Sequence, residues 1–174
     1  MRPVVSIIMP VFNRLKYLRA AIDSVFMQSF LDWELLIADD GSGPDTQDYL
    51  RTLDGQSRVE VLRLSRTGNP AAVRNAALRE ASGEYVAFLD SDDVWMPGKL
   101  QTQIASLRSH GSREWSYTGF TLVDGSGGPL AGTQAARSPA HDGWILDQLV
   151  REEALVVTPS VVVRRAFIEE IGGY

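Results

Sequence analysis

At 174 residues the chain is long enough for one domain with a sizeable core, and 44% apolar with 22% charged residues marks it as globular rather than disordered. A net charge of −5 with no basic block argues against a nucleic-acid surface. The absence of cysteine excludes disulfides, thiolate metal sites and a cysteine nucleophile, and His110 and His141 alone do not make a histidine-rich metal centre.

Val4 to Met9 is rich in β-branched residues and stops at Pro10, which reads as a buried strand. Asn13 is placed to cap the helix that follows, with Leu15, Leu18, Ile22, Val25 and Phe26 at helical spacing. Glu34 to Ala38 is a second strand, closed by Asp39-Asp40-Gly41-Ser42-Gly43. A helix is expected over Asp45 to Leu53, a third strand over Val59 to Leu64, and an alanine-rich helix over Ala71 to Ala81, ended by Gly83. Tyr85 to Leu89 is the fourth strand, and Pro97 opens a helix with Leu100, Ile104 and Leu107 on one face. Four strand–helix alternations within residues 1–110 predict an α/β fold, a mostly parallel sheet with helices on both faces. Beyond residue 110 the pattern changes. Trp115 to Val123 reads as a strand, Gly125 to Pro139 as a surface loop, Gly143 to Val150 as a short helix, Thr158 to Val163 as a strand, and Arg165 to Ile171 as a helix ended by Gly172-Gly173. No apolar run reaches the roughly eighteen residues of a membrane span, and the start lacks the layout of a signal peptide, so a cytoplasmic protein is expected.

The chemistry concentrates where the fourth strand ends. Asp90, Asp92 and Asp93 place three carboxylates within four positions. Such crowding needs an offsetting charge, and a divalent cation supplies it with coordination sites left for substrate phosphates. The plainer reading is a solvated acidic turn. Two other turns, Pro10-Val11-Phe12-Asn13 and Asp39-Asp40-Gly41-Ser42, lie on the same edge of a parallel sheet, where open α/β sheets bind ligands. There Phe12 can pack on a base while an aspartate accepts from its N–H. Against this, Asp39 and Asp40 can simply bond their own turn. Arg74 can bind a phosphate or orient the aspartates, or form a surface ion pair of little worth. Trp95 reads as core or wall. Neither a Gly-x-Gly-x-x-Gly nor a Walker lysine loop is present, and no serine has a matched histidine–acid pair.

Taken in order, Ser-Ile-Ile-Met-Pro-Val-Phe-Asn-Arg (6–14), Ser-Val-Phe-Met-Gln-Ser-Phe (24–30), Trp-Glu-Leu-Leu-Ile-Ala-Asp-Asp-Gly-Ser (33–42), Ala-Val-Arg-Asn-Ala-Ala-Leu (72–78) and Gly-Glu-Tyr-Val-Ala-Phe-Leu-Asp-Ser-Asp-Asp (83–93) resemble the nucleotide-binding part of an inverting family 2 glycosyltransferase. Thr-Pro-Ser-Val-Val-Val-Arg-Arg (158–165) and Ile-Gly-Gly-Tyr (171–174) extend the resemblance nearly end to end. It implies a GT-A fold, with residues 1–110 as the nucleotide- and metal-binding half and 111–174 as the start of an incomplete acceptor-binding half. It also implies a nucleoside-diphosphate sugar donor, UDP-linked by preference, and a glycan or lipid-linked acceptor. By position, Pro10 and Phe12 would flank the base, Asp40 would bond it with Asp39 in support, and Arg74 would sit near the site. Asp90-Ser91-Asp92 matches the family's Asp-x-Asp element. Asp92 would hold a Mn2+ or Mg2+ ion on the diphosphate, and Asp90 would lie near the ribose or metal. The family's general base usually lies in a Glu-Asp pair downstream of Gly-Gly-Tyr, so it is expected beyond Tyr174. A non-catalytic nucleotide-sugar-binding module is the alternative. A sugar nucleotidyltransferase is a weaker one, because Pro10 to Arg14 is not a glycine-rich loop. The location implied is the cytoplasm or the inner face of the membrane.

Overall fold

The computed structural model describes residues 2–130 and 141–174. Its six-stranded sheet has the order β3-β2-β1-β4-β6-β5. The strands are β1 (Val5–Val11), β2 (Trp33–Asp39), β3 (Val59–Arg63), β4 (Tyr85–Phe88), β5 (Trp115–Ser116) and β6 (Val162–Arg164). The first four are parallel, and β6 joins β4 and β5 antiparallel. The helices are α1 (Leu15–Phe26), α2 (Pro44–Arg51), α3 (Pro70–Glu80), α4 (Lys99–Ser109), α5 (Leu146–Val150) and α6 (Arg165–Glu170).

Two-residue periodicity in β1 sorts the core into two layers. Val5, Ile7, Met9 and Val11 pack with Leu18, Ile22 and Val25 of α1, Leu50 of α2, and Leu100, Ile104 and Leu107 of α4. On the opposite face Ile8 packs with Leu36, Val86 and Phe88, under Val73, Ala77 and Leu78 of α3 and Ile168 of α6. Both faces of the sheet are therefore covered, which accounts for the near-continuous apolar runs in β1 and β2.

β1 continues through Pro10 to Val11 instead of stopping at the proline. The Val11 carbonyl accepts from Asp40 on the β2 side and the Ile8 carbonyl from Leu89 on the β4 side. Pro10 shares the parity of Ile8 and so faces β4 beyond its last residue, where no ladder bond needs its missing N–H.

The second half is less regular than the sequence pattern predicts. β5 is two residues long, because β6 offers it only Val162 and Val163 as partners. β6 in turn starts late, since Thr158–Ser160 form a 3-10 turn. Two carbonyls of that segment are taken by side chains: Trp95 Nε1 donates to Pro159 at 2.9 Å and Gln103 Nε2 to Ser160 at 3.1 Å. Beyond β5, an isolated bridge pairs Val123 with Pro129. Of the loop expected over Gly125 to Pro139, residues 131–139 lie outside the described part. Among the described residues, no helix is long and apolar enough to cross a membrane.

Candidate functional site

Strand order reverses beside β1: β2 follows on one side and β4 on the other. The carboxyl ends of the strands diverge there, and a crevice of about 310 Å³ opens. It is lined by Pro10, Val11, Phe12 and Arg14 after β1, Asp40 after β2, Arg66 and Gly68 after β3, and Asp90, Ser91 and Asp92 after β4. The start of α3 closes it with Pro70, Val73 and Arg74. Pro10, Phe12, Asp40, Arg74, Asp90, Ser91 and Asp92 thus meet as the sequence suggests. Asp39 is not in the lining. Its Oδ1 accepts from the Ser42 amide at 3.1 Å, so it fixes its own turn and is buried.

Asn13 does not cap α1, contrary to the sequence expectation. The residue before the helix is Arg14, and both Asn13 and Arg14 have left-handed backbone angles (φ 59° and 58°). Asn13 is tied instead to the loop after β2: Ser42 Oγ accepts from its amide at 2.8 Å, and its Oδ1 accepts from Gly43 at 2.8 Å. Two adjacent non-glycine residues in this region carry strain that the cross-loop bonds hold in place. The outcome is that Arg14 reaches across the crevice to Asp92.

Each aspartate of the lining is matched by an arginine. Arg14 pairs with Asp92, Arg66 with Asp40, and Arg74 with Asp90. Asp40 is also held by the Thr67 amide at 2.6 Å, the Thr67 hydroxyl at 2.9 Å and the Gly68 amide at 2.9 Å. Burial alone would raise its pKa, but the Thr67 and Gly68 amides, the Thr67 hydroxyl and Arg66 together lower it below the ordinary value. Arg74 is buried, its Nε has no hydrogen-bond partner, and the Tyr174 ring lies 4.7 Å from its guanidinium carbon. Asp93 lies outside the lining. Loss of hydration, then the charges of Asp92 and Asp90, push its carboxyl up to about 6.

The loop that carries these aspartates is sewn to α1. Ser24 Oγ accepts from the Trp95 amide at 3.1 Å. Gln28 donates to the Met96 carbonyl at 2.9 Å and accepts from the Leu100 amide at 3.1 Å, which caps α4. The Ser29 amide donates to Pro97 at 2.9 Å. The segment 24–30 therefore acts as a clamp on residues 95–100. Trp95 is a buried wall of this clamp.

Arg14, Arg66 and the Thr67–Gly68 amides are members of the site that the sequence reading missed. The signal for the last three was available, since Leu64 to Pro70 leaves β3 on the same edge as the other turns. Arg14 had no such signal, because its direction depends on the left-handed backbone.

The fold is shared with known structures. S. aureus TarS 1-349 in complex with UDP-GlcNAc matches with a TM-score of 0.79 at 24% identity, over 98% of this chain and 47% of that one. The mannosyltransferase PcManGT of Pyrobaculum calidifontis, in complex with GDP-Man and Mn2+, matches at 0.71 and 19% identity, over 100% and 48%. At such identities the likeness speaks for the fold. Sequence relatives are nearer. The glycosyltransferase TuaG, assigned to teichuronic acid biosynthesis in Bacillus subtilis, is 39% identical over 130 residues, 74% of this chain and 51% of its own. WfgD of Escherichia coli, a UDP-Glc:alpha-D-GlcNAc-diphosphoundecaprenol beta-1,3-glucosyltransferase, is 42% identical over 122 residues, 70% of this chain and 47% of its own. The chain spans about half the length of these relatives. The family model for glycosyl transferase family 2 matches residues 6–113, which takes in every loop of the crevice, and the chain belongs to that family.

Proposed function

We propose that the chain is the donor-binding part of a glycosyltransferase that moves a sugar from a nucleoside-diphosphate sugar to an acceptor hydroxyl with inversion. One observation carries the reading: a single crevice has an aromatic face and an acceptor carboxylate at one end, Phe12 and Asp40, and the Asp90–Asp92 carboxylates with Arg14 and Arg74 at the other. The first end suits a planar base with an N–H edge, beside Pro10. The second suits a diphosphate. TarS bound to UDP-GlcNAc and the UDP-Glc donor named for WfgD favour a UDP-linked sugar.

The donor set also fits a divalent cation, such as Mn2+ or Mg2+. Among the described residues no group of three acidic or histidine side chains is arranged to hold a metal. Cations of this kind, however, are commonly held by one or two carboxylates together with substrate phosphates. Asp92 would hold the ion, with Asp90 beside it. When bound, the ion acts as a Lewis acid that offsets the negative charge building on the departing diphosphate. Arg74, whose guanidinium pairs with Asp90 at that end, would donate to a phosphate oxygen. Ser91 offers a hydroxyl at the same end, and Asp39 supports Asp40 by fixing its turn. Inversion follows from in-line attack by an acceptor hydroxyl on the face opposite the diphosphate, with proton removal by a general base. No residue of the crevice is assigned that base. The acceptor is proposed as a glycan or lipid-linked sugar, consistent with the diphosphoundecaprenol acceptor named for WfgD, and the site of action as the cytoplasm or the inner membrane face.

Calorimetric titration tests the reading. UDP is expected to bind in Mn2+, to bind more weakly in excess chelator, and to lose roughly tenfold or more in affinity on Asp92→Ala. Tighter binding of GDP would change the donor class. Absence of binding by both nucleotides to folded protein would overturn the reading. Sugar transfer from a UDP-sugar to a lipid-linked acceptor separates an enzyme from a binding module.

A further inference from the structure

The two contacts a base would use in this crevice are both taken by one side chain. The Arg66 guanidinium carbon lies 3.5 Å from the Phe12 ring centroid, and its Nη1 donates to Asp40 Oδ2. A guanidinium is planar with an N–H edge, and here it lies over the ring within stacking distance and donates an N–H to the carboxylate, the two contacts of a stacked base. We infer that Arg66 is an internal occupant of the base site, which swings out when nucleotide binds and thereby sets how tightly the base is held. The inference rests on the reading of the crevice as a nucleotide site.

Asp40 has no room for a further donor while Arg66 stays. A carboxylate has about four acceptor positions. Oδ1 takes the Thr67 amide and hydroxyl, and Oδ2 takes the Gly68 amide and Arg66. Two of these donors are backbone amides and the third is a short side chain of the same loop. Arg66 is the long, jointed one. Its side chain is 48% exposed, whereas that of Asp40 is 6% exposed, so the guanidinium has an open path to solvent and the carboxylate stays behind. The hinge is local as well. A Cβ on Gly41 would lie 3.2 Å from Arg66 Cβ, so the Arg66 backbone is packed against the β2 turn, and motion belongs to the side chain beyond Cβ.

An incoming base therefore exchanges with Arg66 instead of filling an empty slot. The cost of displacing a part-buried ion pair and a cation–π contact is subtracted from the affinity for the base. The probe that isolates this cost is uridine, which carries no phosphate to be attracted by the arginine's charge.

The test combines binding with a direct view of the side chain. In the free protein, the Arg66 Nε–H resonance should carry a ring-current shift that Phe12→Leu removes, and saturating UDP should move it to the position of a solvent-exposed arginine. Arg66→Ala, checked for an unchanged melting temperature, should bind uridine roughly three- to tenfold more tightly than the wild type. An Arg66 resonance that keeps its ring-current shift in the UDP complex would overturn the inference. So would uridine affinity unchanged or weakened by Arg66→Ala. In both cases nucleotide still binds, and the donor-site reading stands. If neither wild type nor Arg66→Ala binds uridine or UDP, both readings fall together.

Discussion

Asp40 is tied to the chain by the Thr67 and Gly68 amides as well as by Arg66, so it fastens the loop after β3 to the end of β2 besides lining the crevice. Asp40→Asn would set an NH2 group against one of these donors, and is expected to cost about 1–3 kcal/mol in stability, measured by denaturant unfolding. The lowered pKa of Asp40 fixes the direction of its pH dependence. Its contribution is complete above the ordinary carboxylate range and is lost as pH falls through the depressed folded value. The adjacent aspartates also mark what was legible in the sequence. An Asp-Asp turn at the end of a strand announces both possibilities, turn bonding and ligand bonding; the structure gives the turn bond to Asp39 and leaves Asp40 in the crevice lining. The partners of Asp40 lie 26 to 28 residues away, and no local spacing encodes such a pairing.

Among the elements, α3 and β4 meet at a corner that admits no side chain. Gly83 is buried, and a Cβ there would lie 2.6 Å from the Ser6 amide nitrogen. Around it Glu34 accepts from Ser6 Oγ at 2.6 Å and from the Ser82 amide at 2.8 Å, which explains a buried serine among the apolar residues of β1. Gly83→Ala should cost about 1–3 kcal/mol by forcing β1 and β4 apart, visible as a lowered unfolding midpoint. Gln28→Ala strips the cap from α4 and leaves the buried Leu100 amide unpaired, again a loss of about 1–3 kcal/mol. Because the clamp holds the segment that follows the aspartates, that variant is also expected to weaken nucleotide binding, which titration of the folded variant checks. Parallel strands and long helices were readable because apolar period and cap signals repeat over many residues. The short antiparallel strands were not, since their lengths are set by where Pro159 and Ser160 find side-chain partners.

Across the whole molecule, the alternation of strand and helix pointed to the sheet and to the edge where the crevice opens. The charge buried between α4 and the second half was not visible. Lys99 is nine-tenths hidden, its Nζ donates to Gln103 at 2.5 Å and lies 4.4 Å from the Trp95 ring centroid, and burial lowers its pKa from 10.5 to about 7. Between those values the unfolded chain holds the proton and the folded chain does not, so stability rises with pH from about 7 toward about 10, and below 7 the penalty for burying the charge is felt in full. Lys99→Met should therefore stabilise the protein most at about pH 6 and progressively less as pH rises, read from unfolding midpoints across the range. The Gly173–Tyr174 segment joins distant parts of the chain in another way. Tyr174 exchanges two backbone hydrogen bonds with the Asn75 amide, at 2.8 and 3.2 Å, while its ring meets Phe88 edge-on and covers Arg74. Asn75 and Arg74 are neighbours on one helix, so this tyrosine is bonded to one residue and packs over the next, the guanidinium beside Asp90. The far end of the crevice and the Gly173–Tyr174 segment are thus joined through one helix, with no strand between them.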